Sequence, residues 1–252
     1  VKKILKRLVH KRQVVPNFTP LPLTTAQTIC VIGDIHGALP PLQALLKTCA
    51  AQAPDAQLVF LGDYIDRGDQ VPEVLALLKR LQDDAGAICL KGNHEDMMLR
   101  FLDDPARNGP IWLRHGGLQT LAGYGVSGVS LRHDPQSLTA LRDQLRRVFS
   151  PEMEAWLRAL PCHFLSGTLA AVHAGADPAR PMSRQKPQHL LWGHKDFGTV
   201  PRSDGLWIIH GHTIVDTPTM TPGIISVDTG AYITGQLSAA LIAGDSVTFL
   251  QS

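Results

Sequence analysis

Long apolar runs are what this 252-residue sequence most plainly lacks. No stretch approaches the roughly 18 apolar residues that a membrane helix needs, so a transmembrane span is not expected. Cysteine is scarce as well. The four present, Cys30, Cys49, Cys89 and Cys162, share no CxxC spacing, so disulfides are not expected and a cytoplasmic location fits. Cys30 and Cys89 fall inside apolar runs and read as buried strand thiols. Internal repeats and low-complexity tracts are absent too, which leaves a conventional globular chain. With 44% apolar residues, it can bury a full core as one large α/β domain.

No charge sign dominates, but the net +2 hides an asymmetry. Residues 1–12 carry Lys2, Lys3, Lys6, Arg7, Lys11 and Arg12 and no acid, so the rest of the chain is slightly acidic. That balance, with no groove-reading motif, argues against nucleic acid as a partner. In the arm, Val1, Ile4, Leu5, Leu8 and Val9 recur at helical spacing, the pattern of a short basic amphipathic helix. It could touch an anionic membrane or an acidic partner; the plainer expectation is a helix or tail that rests on its own domain or is disordered. Basic residues interrupt it throughout, unlike a signal peptide.

Residues 13–27, with Pro16, Pro20 and Pro22, read as a linker, so residues 1–27 form an arm and linker ahead of a domain over 28–252. Three apolar runs, 29–32, 58–61 and 88–90, each end at glycine and a polar residue. With helical periodicity over 40–51 and 71–81 between them, the first hundred residues read as β-α-β-α-β. A helical insertion is expected over about 96–160, followed by short strands near 163–165, 169–172, 207–209, 224–227, 238–242 and 246–250. The expected fold class is α/β, two mixed sheets face to face with helices outside.

Ligand sites in such sheets lie beyond the carboxyl ends of the strands. Asp34, His36, Asp63 and Asn93 all fall there. His173 and His212 also follow apolar strand runs and can join the same edge, although either alone could be a core histidine. Carboxylate, imidazole and amide oxygen together suit borderline divalent ions such as Mn, Fe or Zn.

The segments Gly33-Asp34-Ile35-His36-Gly37, Gly62-Asp63-Tyr64-Ile65-Asp66-Arg67-Gly68 and Gly92-Asn93-His94-Glu95, followed by His173-Ala174-Gly175 and Gly211-His212-Thr213, carry a family resemblance. In order and spacing the chain resembles the phosphoprotein phosphatase branch of the calcineurin-like metallophosphoesterases. Within it, Trp112-Leu113-Arg114-His115-Gly116-Gly117 and Val227-Asp228-Thr229-Gly230-Ala231 are similar to the small bacterial and bacteriophage-lambda type. The resemblance implies a four-layer sandwich and two divalent ions, Mn2+ first, with Fe or Zn as alternatives. Asp34, His36 and Asp63 would hold one ion, and Asp63, Asn93, His173 and His212 the other, with Asp63 bridging.

Two such cations need a shared anion and lower the pKa of a bound water toward about 7, so a bridging hydroxide would attack the phosphorus directly. An alkoxide leaves poorly, and His94, held by Asp66, fits the role of proton donor. Arg67 and Asn93 would contact the phosphate, Arg67 through its planar fork. Glu95 is read as a residue that orients the loop or packs at a helix start, and His210 as a core or second-layer group.

The pattern departs from its relatives at 191–197. A second phosphate-binding arginine is expected after the Leu-Trp pair, and His194 stands there. Either His194 or Lys195 substitutes as a point charge, or Arg180, Arg184 or Arg202 reaches in. The substrate expected is a phosphorylated protein, on phosphoserine, phosphothreonine or phosphotyrosine, or a small phosphoester. A nucleotide or dinucleoside polyphosphate is the alternative, and a non-catalytic scaffold the remote one.

Overall fold

The structure, a computed structural model, describes residues 19–128 and 134–252. The basic arm with its proposed membrane contact and the first part of the linker lie outside the described residues.

Apolar patterning explains the layers. Strand β1 (Ile29–Ile32) turns Ile29 and Val31 to one side and Cys30 and Ile32 to the other, and all four are fully buried. A strand covered on both faces needs an uninterrupted apolar run rather than alternation. It pairs in parallel with β2 (Gln57–Phe60), which pairs in parallel with β3 (Ile88–Cys89). The crossovers are α1 (Leu39–Gln52) and α2 (Val71–Ala85). Each has proline in its first turn, where no intrahelical N–H bond is lost.

Between β3 and β4 (His163–Ser166) the chain is helical: α3 (Asn93–Asp103), α4 (Pro105–Trp112), a wide turn over Leu113–Gly117, α5 (Leu118–Gly123), α6 (Pro135–Val148) and α7 (Pro151–Ala159). The helical run over 105–123 is not one continuous helix. It is interrupted at Gly116, whose φ of 112° is open to glycine, and there the Gly116 carbonyl accepts the Arg67 N–H at 3.2 Å.

The second sheet continues with β5 (Leu169–Val172), β6 (Trp207–His210), β7 (Thr219–Thr221) and β8 (Ile224–Ser226). Helix α8 (Pro187–Trp192) lies between β5 and β6 in sequence, and the short α9 (Ala231–Thr234) follows β8. Strands β9 (Ser238–Ala243) and β10 (Ser246–Gln251) return to the first sheet, antiparallel. The orders are β10-β9-β1-β2-β3 and β4-β5-β6-β8-β7, both mixed.

Ile29, Val31, Leu61, Leu169, Ile209 and Val227 fill the space between the sheets. Leu42, Leu75, Phe101, Trp112 and Leu157 pack the helices onto the outer face of the first sheet. Val172, Met182, Leu190 and Ile208 do so for the second. Each such side chain, fully buried, contributes about 1.5–3 kcal/mol. The result is the expected helix–sheet–sheet–helix sandwich. Among the described residues no helix is long and apolar enough to cross a membrane.

The linker reading is corrected over residues 21–26. Leu21 donates to the Gly205 carbonyl at 3.0 Å, Trp207 Nε1 donates back to the Leu21 carbonyl at 2.8 Å, and Leu23 is buried. Thr24 and Ala26 donate to Thr168 and Ser166 beside the β4–β5 turn. Proline made the segment look like spacer, but the N–H groups of Leu21, Thr24 and Ala26 find partners in or beside the strands of the second sheet.

Candidate active site

The parallel strands of both sheets deliver their carboxyl ends to one place. From β1 come Asp34 and His36, from β2 Asp63, Asp66 and Arg67, from β3 Asn93 and His94, from β5 His173 and from β6 His212. All but Arg67 and His212 are buried almost completely. His36, Asp63, Asp66, Arg67 and His212 are the non-glycine residues with left-handed φ, 46° to 69°, among the described residues. Every one was singled out by sequence. Such a backbone costs on the order of 1–3 kcal/mol per residue and persists where surrounding contacts impose it.

The close approach of these loops also fixes glycines. A Cβ on Gly68 would sit 2.1 Å from the His36 carbonyl, and one on Gly92 2.3 Å from the Asp63 nitrogen. Gly68→Ala is therefore expected to lower stability by roughly 1–3 kcal/mol and to shift the His36 loop. A melting temperature unchanged within a degree would show that this loop gives way freely.

Asp63 lies at the middle. His36 Nε2 is 3.5 Å from its Oδ2, and His173 Nε2 is 3.4 Å from its Oδ1. Both imidazoles donate Nδ1–H to backbone carbonyls, His36 to Ile65 at 2.8 Å and His173 to Leu61 at 3.1 Å. That fixes the tautomer and turns each Nε2 lone pair inward, the arrangement usual for metal-ligating histidine. His173 Nε2 and His212 Nδ1 lie 2.7 Å and 2.9 Å from Asn93 Oδ1. Asp34 Oδ2 accepts the His212 N–H at 3.0 Å, whereas its buried Oδ1 has no hydrogen-bond partner among the described residues.

The electrostatics point the same way. Burial, then Asp228 and Asp63, raise Asp34 well above the ordinary carboxylate range. Burial pushes His36 down to about 3, and burial with the neighbouring His173 pushes His212 down to about 4. His173 is lowered by burial too. Neutral imidazole lone pairs facing clustered carboxylates form a site that divalent cations relieve. The donor set, and above all the orphaned Asp34 Oδ1, fits two such ions.

Two groups of side chains have the spacing of ligands, His36 with Asp63 and His94, and Asp63 with His173 and His212. Asp63 belongs to both. In the first group both nitrogens of His94 already have partners. Its Nδ1 donates to Asp66 Oδ2 at 2.6 Å, and its Nε2 lies 3.1 Å from Arg67 Nη2. Asp66 is wholly buried and also accepts from Thr120 Oγ1 at 2.6 Å and Trp112 Nε1 at 3.0 Å. Burial works against the imidazolium of His94, but Asp63 and Asp66 more than offset it and raise its pKa.

Glu95 orients the loop. Its carboxylate accepts N–H bonds from Gly92, Asp63 and Tyr64 at 2.8–2.9 Å. His210 is a core group, bonded to Ser226 Oγ at 2.9 Å.

Sequence reasoning missed Trp112 and Thr120 as donors to Asp66. It also missed Tyr232, whose ring lies 5.3 Å from that of His36 and 4.8 Å from the Arg67 guanidinium, and the buried Asp228. Trp112 and Asp228 stand inside motifs that were visible, so the signal was present without a role.

The second phosphate clamp looks different from its expectation. His194 is gathered with Asp177 and His189, its Nε2 3.9 Å from Asp177 Oδ2. Lys195 is exposed. Arg202 is buried, pairs with Asp204 and donates to the Asp177 and Arg180 carbonyls, and Arg180 pairs with Asp177.

A family model described as calcineurin-like phosphoesterase matches residues 27–216. The asymmetrical bis(5'-nucleosyl)-tetraphosphatase PrpE of Bacillus velezensis is 28% identical over 233 residues, 82% of this chain and 86% of its own. Serine/threonine-protein phosphatase 1 of Salmonella typhimurium is 27% identical over 218 residues, 85% of this chain and 91% of its own. The crystal structure of a cold-active protein-tyrosine phosphatase from a psychrophile Shewanella covers 89% of this chain and 80% of its own with a TM-score of 0.56, at 19% identity, and shares the fold.

Proposed function

This chain belongs to the calcineurin-like phosphoesterase family and is a metallophosphoesterase, and from that premise we propose that it hydrolyses phosphate monoesters of alcohols, with phosphoserine and phosphothreonine side chains as the substrate class. The observation that carries this reading is the held proton donor. Asp66 fixes His94 Nδ1 at 2.6 Å, and two further donors, Trp112 and Thr120, fix Asp66. A positioned acid matters most when the departing group is a poor one such as an alkoxide.

In this reading Asp34, His36 and Asp63 hold one divalent ion, and Asp63, Asn93, His173 and His212 a second. Mn2+ is the first choice, with Fe or Zn as alternatives. When bound, the ions supply Lewis acidity toward phosphate oxygens and activate water at neutral pH. Arg67 leaves His94 Nε2 for the substrate phosphate, where its fork makes charge-assisted bonds. Nε2 is then free to carry a proton, since the Asp66 carboxylate accepts the Nδ1–H bond and stabilises the imidazolium. His94 gives the Nε2 proton to the leaving oxygen.

A second reading, hydrolysis of dinucleoside polyphosphates, is supported by relatives named for that activity. The Bacillus velezensis relative matches this chain at nearly the same identity and coverage as the protein phosphatase does. A panel of phosphoserine peptides, p-nitrophenyl phosphate and diadenosine tetraphosphate, assayed with Mn2+, separates the two. The expected result is metal-dependent turnover with kcat/KM at least about tenfold higher on the peptides. The reverse order would favour the second reading, and no turnover of any member would defeat both.

A further inference from the structure

A third group of ligand-type side chains lies outside the site described above. Asp177 stands four residues beyond His173 in the loop after β5, His189 is in the last turn of α8, and His194 follows the turn at Gly193. One ligand atom from each, a carboxylate oxygen and two ring nitrogens, lies within 4.8 Å of the other two. Asp177 Oδ2 is 4.0 Å from His189 Nδ1 and 3.9 Å from His194 Nε2, and the two rings are 4.6 Å apart. His189 Nδ1 is buried and has no hydrogen-bond partner among the described residues. A polar nitrogen so placed is costly unless something binds it.

We propose that Asp177, His189 and His194 form a third divalent-cation site, of the His2Asp type that Zn2+ favours, separate from the pair of ions centred on Asp63. Tetrahedral Zn2+ with ligands at about 2.0–2.1 Å sets them about 3.4 Å apart, so each Asp177–histidine distance shortens by roughly half an ångström from its 3.9–4.0 Å and the two imidazoles draw together from within 4.8 Å. Three protein ligands leave a fourth position for water or a ligand oxygen.

The frame around the cluster is built. The Asp177 N–H donates to Gln185 Oε1 at 2.9 Å, Gln185 Nε2 returns a bond to the Asp177 carbonyl at 2.8 Å, and Arg202 Nη1 donates to that carbonyl at 3.2 Å. Asp177 Oδ1 accepts the Ala179 N–H at 3.0 Å, which leaves Oδ2 to face the histidines. Helix α8 is tied to the loop after β5 by the Ala174 N–H on the Leu190 carbonyl at 2.8 Å.

Two groups compete with the cation. Arg180 Nε donates to Asp177 Oδ2 at 3.1 Å, but its side chain is 46% exposed, and an ion pair of that kind is worth little. His194 Nδ1 accepts the Asp196 N–H at 3.3 Å. Ligation through Nε2 places the proton on Nδ1, at the cost of that contact; the Asp196 carboxylate, 3.9 Å away, must turn toward Nδ1 to accept it and complete a carboxylate–histidine–metal arrangement.

The protonation states also suit ligation. Burial and His194 keep His189 below the ordinary imidazole value. Burial works against the charged form of Asp177, but the Ala179 N–H, His194 and Arg180 hold it below the usual carboxylate range. The geometry also tells against His194 as a bare phosphate clamp, because its Nε2 faces an anion.

The test reads metal content rather than turnover. The full chain, stripped with chelator and dialysed against excess Zn2+ and then buffer, is compared with Asp177→Asn, His194→Gln and Asp63→Asn by elemental analysis and by Zn2+-dependent melting. Asp177→Asn and His194→Gln should each hold one Zn2+ fewer per chain than the parent and gain less in Tm from Zn2+. Asp63→Asn should lose the ions of the other site and keep this one, so the two assignments fail separately. If a folded Asp177→Asn or His194→Gln variant retains the parental Zn2+ content, the proposal is overturned. Should either variant fail to fold, the other, or His189→Gln, gives the same readout.

Discussion

His94→Asn is expected to lower kcat on a phosphoserine peptide by about 10²–10⁴-fold, the range that general acid catalysis contributes, with bound metal and melting temperature close to the parent. The imidazole is 1% exposed and sits between Asp66 at 2.6 Å and Arg67 at 3.1 Å, so its removal deletes one proton site without opening the core. Asp66 keeps its bonds from Trp112 and Thr120, and the loop around it should hold. On p-nitrophenyl phosphate, whose phenolate leaves readily without a proton, the loss should be clearly smaller. That contrast identifies an acid. Equal losses on both substrates would make His94 a shaping residue only, and undiminished turnover would remove it from the chemistry.

The motifs were legible because parallel strands put polar residues at their carboxyl ends. Each of Asp34, Asp63, Asn93, His173 and His212 lies within three residues of the end or beginning of an apolar run whose burial forces it into a sheet. The buried runs at 29–32 and 169–172 set both sheets without any knowledge of their order. What joins distant segments was not legible. Asp66 meets Trp112 and Thr120 across intervals of 46 and 54 residues, and no local period encodes such a contact. Strand β7, three residues between Pro218 and Pro222, is too short for alternation to register. The return of β9 and β10 to the first sheet is likewise a matter of pairing, not pattern. The Asp177, His189 and His194 cluster was not legible either: Asp177 lies before α8, His189 within it and His194 after it, and only the fold brings the three together.

Glu95→Ala should be the most damaging single change to stability, about 3–5 kcal/mol out of the roughly 5–15 kcal/mol typical of a domain. Glu95 is fully buried in the first turn of α3, and its carboxylate collects the N–H groups of Gly92, Asp63 and Tyr64, with Ile65 at 3.4 Å. Those donors belong to the two loops that carry the central ligand candidates, and Asp63 holds a left-handed φ of 52° that little else in the sequence favours. Without the carboxylate the N–H groups are left unpaired in a dry interior, and the reason for Asp63 to remain strained goes with them. Glu95→Gln keeps the size but turns an NH2 toward donors, so it should fall between parent and Glu95→Ala. Urea unfolding should show the midpoint dropping in that order, with metal retention falling in parallel. If Glu95→Ala melts within about 2 °C of the parent, a shift that corresponds to at most about 1 kcal/mol at this size, the loop is held by other contacts and this account of its geometry is wrong.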